Sequence, residues 1–208
     1  MNPPALLCIV CVGMLLSAEV RGAAGLRAVS KTAAALCMIA AALWAGASGS
    51  PAGRRIVLGL VLSAGGDVAL LSSGPTGFVA GLTLFAAAHL AYAAAALSLG
   101  VSWGWTVGVA LVLLPVARRV WRWLSPHVPS ALRIPVLSYM AIISGMLALA
   151  FGASMAGTAP PRFAAGALLF FVSDLAVARE RFVVGSVVNK LWGLPAYFGG
   201  QLLLATSL

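Results

Sequence analysis

Residues 55–73 read RIVLGLVLSAGGDVALLSS, and this stretch decides the fold. It is apolar for almost a full membrane crossing, which takes about 20 residues. Yet it carries one carboxylate, Asp67, with no charged neighbour in sequence. A second stretch does the same at 162–179, where Asp174 stands alone among Ala, Leu, Phe and Val. Each aspartate follows by twelve residues an arginine that starts its stretch, Arg55 or Arg162. A carboxylate at membrane depth is costly and marks a functional site by default. The two stretches share Gly eight residues before Asp and Leu five before it, and both continue with an apolar residue and Ala. A parallel duplication of four plus four spans is one reading; chance in an Ala- and Leu-rich chain is the other.

Working outward, composition fixes the class. Apolar residues make up 62% of 208 and charged residues 8%, against about a quarter charged in soluble domains. Such a chain cannot clothe a water-facing surface. It is expected to be all-α, a polytopic membrane bundle forming one domain over 1–208. Eight spans are expected, at about 3–20, 31–47, 55–73, 77–98, 103–118, 132–156, 162–179 and 184–206. Turn chemistry separates them at Ser48–Gly53, Ser72–Gly77 and Thr158–Pro161. The longer connection, about 119–131, with Arg119, Arg122, Trp121 and Trp123, is expected to lie in the interface. Gly104-x-x-x-Gly108 is a small-xxx-small spacing that suits close helix approach. The N-terminus lacks a basic leader, with Arg21 following the apolar run, so it reads as a first span rather than a cleaved signal.

The net charge of +9 would suggest nucleic acid in a soluble protein. Here the charges fall in short connections and read as topology signals, so no nucleic-acid partner is expected. Arg54, Arg55 and Arg162 lie on the even-to-odd side. Ten others, Arg21, Arg27, Lys31, Arg118, Arg119, Arg122, Arg133, Arg179, Arg181 and Lys190, lie on or near the odd-to-even side. The richer side should be cytoplasmic, leaving both termini outside. The Ala- and Gly-rich composition hints at a bacterial source, hence a cytoplasmic (inner) membrane. Cys8 and Cys11 form C-x-x-C inside the first span and, like Cys37, read as small apolar residues. His89 and His127 are far apart and without clustered partners, so no metal site is expected, and no cofactor is required.

Depth groups the polar residues. Twelve residues at 1.5 Å each put Asp67 and Asp174 about 18 Å from the outer end, in the inner half of the bilayer. Lys31, Tyr139, Asn189 and Lys190 fall at a similar level. On the fourth span, Phe78, Gly81, Phe85, His89 and Tyr92 share one helical face, with His89 towards the outer half. Glu19 and Glu180 lie near segment ends, beside Arg21 and between Arg179 and Arg181, so only the two aspartates lack a charged neighbour.

The ordered set of motifs resembles the YhhN family of eight-helix membrane proteins, the lysoplasmalogenases. It comprises Lys31-Thr32, Gly66-Asp67, Phe78-x-x-Gly81-x-x-x-Phe85-x-x-x-His89-x-x-Tyr92 and Tyr139-Met140. It continues with Gly166-Ala-Leu-Leu-Phe-Phe-Val-Ser-Asp174, Arg181-Phe182 and Tyr197-Phe198-Gly-Gly-Gln201. Thr32 stands where Pro is expected, and Phe198 where a second Tyr is expected. The resemblance implies hydrolysis of the vinyl ether of a lysophospholipid within the lipid bilayer. The products are a fatty aldehyde and a glycerophospho-ethanolamine or -choline. Enol ether hydrolysis needs a positioned acid and a nearby anion, roles that suit Asp67 and Asp174 as an acid/base pair. Lys31 is expected to hold phosphate. His89, Tyr92, Tyr139, Asn189, Tyr197 and Gln201 complete the expected substrate-binding set. A proton-coupled secondary transporter is the alternative, since intramembrane aspartates also serve proton coupling.

Overall fold

The computed structural model describes residues 2–72 and 74–208. Among these the chain forms eight long α-helices and no strand: α1 (Pro3–Arg21), α2 (Ala24–Trp44), α3 (Pro51–Ala69), α4 (Pro75–Leu99), α5 (Trp103–Leu124), α6 (Arg133–Met155), α7 (Pro161–Ala178) and α8 (Val187–Ala205). Five of them, α1, α2, α4, α6 and α7, are long and apolar enough to cross a membrane. In α3, α5 and α8, polar residues interrupt the apolar run.

The helix starts follow from local chemistry. α1, α3, α4 and α7 each begin with proline in the first turn, where the missing N–H costs nothing and the fixed φ suits the helix. Asn2, Ser50 and Ser186 cap α1, α3 and α8 by accepting from Ala5, Gly53 and Val188 N–H groups. Gly22, at φ 66°, ends α1 in the left-handed conformation and donates back to Ala18 and Glu19 carbonyls.

Two expectations need revision. The third span begins at Pro51, not Arg55, and Asp67 lies near the C-terminal end of α3. Asp174 lies near the C-terminal end of α7. Asp67 is therefore closer to the odd-to-even end of the bundle than a twelve-residue count suggests, while α7 begins one residue before Arg162 and leaves the count for Asp174 nearly unchanged. The segment 119–131 is also not a separate interfacial element: α5 runs on through Trp121 and Trp123 to Leu124, followed by two single 3-10 turns.

Consecutive helices pack as antiparallel hairpins, α1 with α2, α3 with α4, α5 with α6 and α7 with α8. α8 also packs on α1, α2 and α3, closing the bundle, while α4 and α7 both pack on α6. Small residues set the closest approaches. A Cβ on Gly66 would stand 2.8 Å from the Phe85 ring, and one on Gly166 would stand 2.8 Å from the Gly200 carbonyl oxygen. By contrast, Gly104 and Gly108 meet nothing within 4 Å, so the small-xxx-small spacing of α5 is not a seam within the bundle. The core centres on buried Tyr92, Phe163, Phe170 and Phe198.

Candidate active site

The carboxyl ends of α3 and α7 frame a cavity of about 490 Å³. Its walls are mostly apolar, with Leu70, Leu82, Val120, Met140, Ile143 and Leu194 among the lining residues. Asp67 and Asp174 both line it, as do Lys31, Tyr139, Asn189 and Tyr197. The sequence reading thus brings six of its nine site residues to one cavity.

Each aspartate has its own partners. Asp67 is buried, its side chain only 3% exposed, and Lys31 Nζ lies 3.0 Å from its Oδ1. Tyr197 donates its hydroxyl to Asp67 Oδ2 at 2.7 Å. Lys31 arrives from the third turn of α2, because that helix begins at Ala24, seven residues before it. Its ammonium is engaged by the carboxylate and is not turned to a free phosphate site.

Asp174 has no Lys or Arg beside it among the described residues. Tyr139 donates to its Oδ2 at 2.6 Å. His89 Nε2 stands 3.3 Å from the same oxygen and 3.0 Å from the Tyr139 oxygen. The Asp174 side chain is 17% exposed, the more open of the two acids. His89 is fully buried, and its Nδ1 has no partner among the described residues. It meets Asp174 directly and so belongs to the same layer, not to an outer half.

An aromatic partition separates the two clusters. The Phe170 ring lies 4.4 Å from His89 and 5.3 Å from Tyr197, centroid to centroid. Phe85 meets Phe170 and Tyr197 edge-on. No hydrogen bond joins Asp67 to Asp174 among the described residues. The geometry is one apolar cavity with two differently furnished acids in its wall.

The other expected contacts lie elsewhere. Tyr92 donates to Gln201 Oε1 at 2.6 Å, both fully buried and outside the cavity lining. This pair ties α4 to α8 behind the site. Asn189 lines the cavity but is spent on structure: it accepts from Arg179, and donates to Glu180 Oε2 and to the Val184 carbonyl, each at 2.8 Å. It fastens the π-helical turn Arg179–Val183 to the start of α8.

Charged residues outside the expected site also reach the cavity. Glu19 accepts from Lys190 Nζ at 2.9 Å, across 171 residues of chain, and has Arg27 Nη1 at 3.8 Å. Glu180 Oε1 stands 3.9 Å from Lys190, and its Oε2 accepts from the Ser186 N–H at 2.7 Å. Arg181 lies over the Phe78 ring at 4.5 Å. Glu19, Arg27, Phe78, Glu180, Arg181 and Lys190 all line the cavity. One signal for Glu19 was available: it extends the face of α1 that carries buried Cys8, Cys11, Val12, Leu15 and Ala18. Among the described residues, no three His, Cys, Asp or Glu side chains group to hold a metal ion.

The YhhN family model matches residues 26–208. The chain belongs to the YhhN family. It is 34% identical to lysoplasmalogenase TMEM86A of Bos taurus over 164 residues, 76% of this chain and 66% of that protein. It is 31% identical to lysoplasmalogenase TMEM86A of Homo sapiens over 163 residues, with the same coverage. With lysoplasmalogenase TMEM86B of Mus musculus the identity is 30% over 177 residues, 83% of this chain and 70% of that protein. The chain thus spans 66% of the length of these two TMEM86A relatives. No solved structure matches it significantly.

Proposed function

We propose that this YhhN-family chain is a membrane lysoplasmalogenase that hydrolyses the vinyl ether of a lysophospholipid by aspartate acid-base catalysis. The observation that carries this reading is the apolar cavity with Asp67 and Asp174 in its wall and a charged mouth. A single alkenyl chain suits the apolar wall, and a polar head suits the mouth. The names of the relatives point the same way.

The partners of each acid support a division of roles. Asp67, paired with Lys31 and Tyr197, is the standing anion. Asp174 faces no Lys or Arg; Tyr139 and His89 both address Oδ2, which leaves Oδ1 for the cavity. Asp174 is therefore the acid. It delivers its proton to the alkenyl carbon distal to the ether oxygen, and the π electrons of the double bond form the new C–H bond. The resulting oxocarbenium ion is stabilised by the carboxylates around it, where a low dielectric strengthens the attraction. Water adds to the oxygen-bearing carbon and returns a proton to Asp174, giving a hemiacetal. Its collapse releases the aldehyde and the glycerol hydroxyl. Tyr139 and His89 orient Asp174; Tyr197 and Lys31 orient Asp67.

All eight helices cross the membrane in this reading. The residues that interrupt α3 and α8, namely Asp67, Asn189 and Gln201, are buried within the bundle and do not face lipid. The arginine-rich odd-to-even side faces the cytoplasm, both termini face outside, and the chain is one domain in a bacterial inner membrane.

The test is aldehyde release from a lysoplasmalogen by purified protein in detergent, with Asp67→Asn and Asp174→Asn alongside. Release that both substitutions abolish is the expected result. No release from folded wild type, with proton-dependent flux in liposomes, would turn the reading to a carrier. Release surviving either substitution would sink the two-aspartate mechanism.

A further inference from the structure

We infer that the cavity mouth is a head-group subsite that selects a primary ammonium, as in phosphoethanolamine, over the quaternary ammonium of phosphocholine. The inference rests on the lysolipid reading of the cavity and deepens it. Five side chains of charged type line the cavity at the odd-to-even end of the bundle, which is its mouth in this reading: Arg27, Arg181 and Lys190 with Glu19 and Glu180. They come from the end of α1, the start of α2, the turn after α7 and the start of α8. The sum of three cations and two carboxylates is +1. A phosphodiester carries one negative charge and its amine one positive charge. A zwitterion therefore finds a partner of each sign here, whereas a purely anionic head would use the cations and bring the carboxylates no new donor.

The two ends of the zwitterion have distinct places. Arg27 and Lys190 both approach Glu19 through its Oε2, and Oε1 takes no hydrogen bond among the described residues. That oxygen is an acceptor with no donor, at a carboxylate whose side chain is only 9% exposed. Glu180 likewise has one oxygen spent, on Ser186 and Asn189, but its side chain is 31% exposed, so water competes for its other oxygen more than at Glu19. The ammonium thus belongs on Glu19, and the phosphate on Lys190 and Arg27, which keep donors to spare.

The methylated head is disfavoured by what is already occupied. A trimethylammonium offers no N–H and is recognised by aromatic faces. The aromatic rings nearest this mouth are Phe78 and Phe182. The Arg181 guanidinium covers Phe78, and the Phe182 ring stands edge-on to it at 89°. Among the described residues, no further ring lines this end of the cavity to complete an aromatic cage.

The test is binding, kept apart from turnover. Ester-linked lysophosphatidylethanolamine and lysophosphatidylcholine of equal chain length lack the vinyl ether and serve as probes. Their dissociation constants for the purified protein are measured in detergent by calorimetry. The expected result is tighter binding of the ethanolamine lipid by about tenfold, the worth of one charge-assisted hydrogen bond. Glu19→Gln should erase that difference and leave the choline lipid unchanged, while Lys190→Gln should weaken both. The mono- and dimethylated ethanolamine lipids need no variant: affinity should fall sharply only when the last N–H is lost. Equal affinity of wild type for both lipids, a preference that survives Glu19→Gln, or no binding of either lipid would overturn the inference. Aldehyde release is assayed separately on the vinyl ether substrate. Selective binding without aldehyde would leave the subsite standing and remove the hydrolase.

Discussion

Replacing Lys31 by Met removes the one cation within reach of Asp67 among the described residues and keeps most of the side-chain volume. The ion pair spans 3.0 Å, with 13% and 3% of the two side chains exposed. Breaking a buried pair by deleting one partner costs about 3–5 kcal/mol, because the surviving charge stays buried without compensation. For a protein of this size that is a fall in Tm of about 6–20 °C. Polar interactions between membrane helices are worth about 0.6–2 kcal/mol, which favours the lower end. Tyr197 alone cannot replace the ammonium, since a neutral donor satisfies a lone pair but leaves the charge. Adding Asp67→Asn to Lys31→Met removes that stranded charge. The double variant should therefore recover much of the loss, ending more stable than Lys31→Met alone. The chain supplies its own reporter: Cys8 and Cys11 are free and buried, so a thiol-reactive fluorophore follows unfolding in detergent. Cys37, half-buried, sets the baseline. A double variant whose loss equals the sum of the two single losses would refute the coupling and, with it, the assignment of Asp67 as an anion held by Lys31. Aldehyde release should be lost in all three variants.

Tyr139→Phe deletes the donor to Asp174 Oδ2 and should slow aldehyde release about 10–100-fold with little change in thermal stability, a modest share of what general acid catalysis contributes; an unchanged rate would remove Tyr139 from the mechanism. Gly166→Ala should destabilise by about 1–3 kcal/mol, because the new methyl meets the Gly200 carbonyl and the Leu204 N–H, backbone that cannot turn aside. Gly108→Ala, which meets nothing within 4 Å, should leave Tm unchanged or raised, and both are read from the same melting curves. Asn189→Ala unfastens the turn after α7 from α8 and should cost about 1–3 kcal/mol, the penalty of stranding buried partners; proteolysis between residues 179 and 186 should become faster if the turn is released.

Much of the architecture was legible because membrane helices obey simple rules. The prolines at 51, 75 and 161 each open a helix, and the turn-rich stretches that contain them were visible as breaks. The shared face of Phe78, Gly81, Phe85, His89 and Tyr92 does face the bundle interior, since all five are buried. What could not be read was pairing. Lys31 and Asp67 lie on different helices, and nothing in sequence distinguishes a lysine that meets a carboxylate from one that reaches for lipid phosphate. Lys190 and Glu19 are 171 residues apart, so a charge near a segment end looked like a topology mark. Tyr92 and Gln201 shared motif positions with the cavity residues, yet helix rotation places them against each other behind it. The overrun of α5 past Arg118 was hidden by its charges, which resemble an interfacial segment until the backbone is followed.

α5 buries only Thr106 and Leu124 of its 22 residues. Thr106 meets α6 at Gly152, where an added Cβ would strike its hydroxyl, and Ser102 donates its N–H to the Gly152 carbonyl. Between those anchor points the helix presents Leu111, Val112 and Leu114 outward. Selection can test these outward positions only for oiliness, not for shape, so Val, Leu, Ile and Phe should trade places there almost silently, whereas Leu113 packs on the core. α4 is held to a different standard, for Ala88, Ala95 and Ala96 are fully enclosed and one extra methyl must displace a neighbour. Over evolutionary time the two helices should drift at unequal speeds.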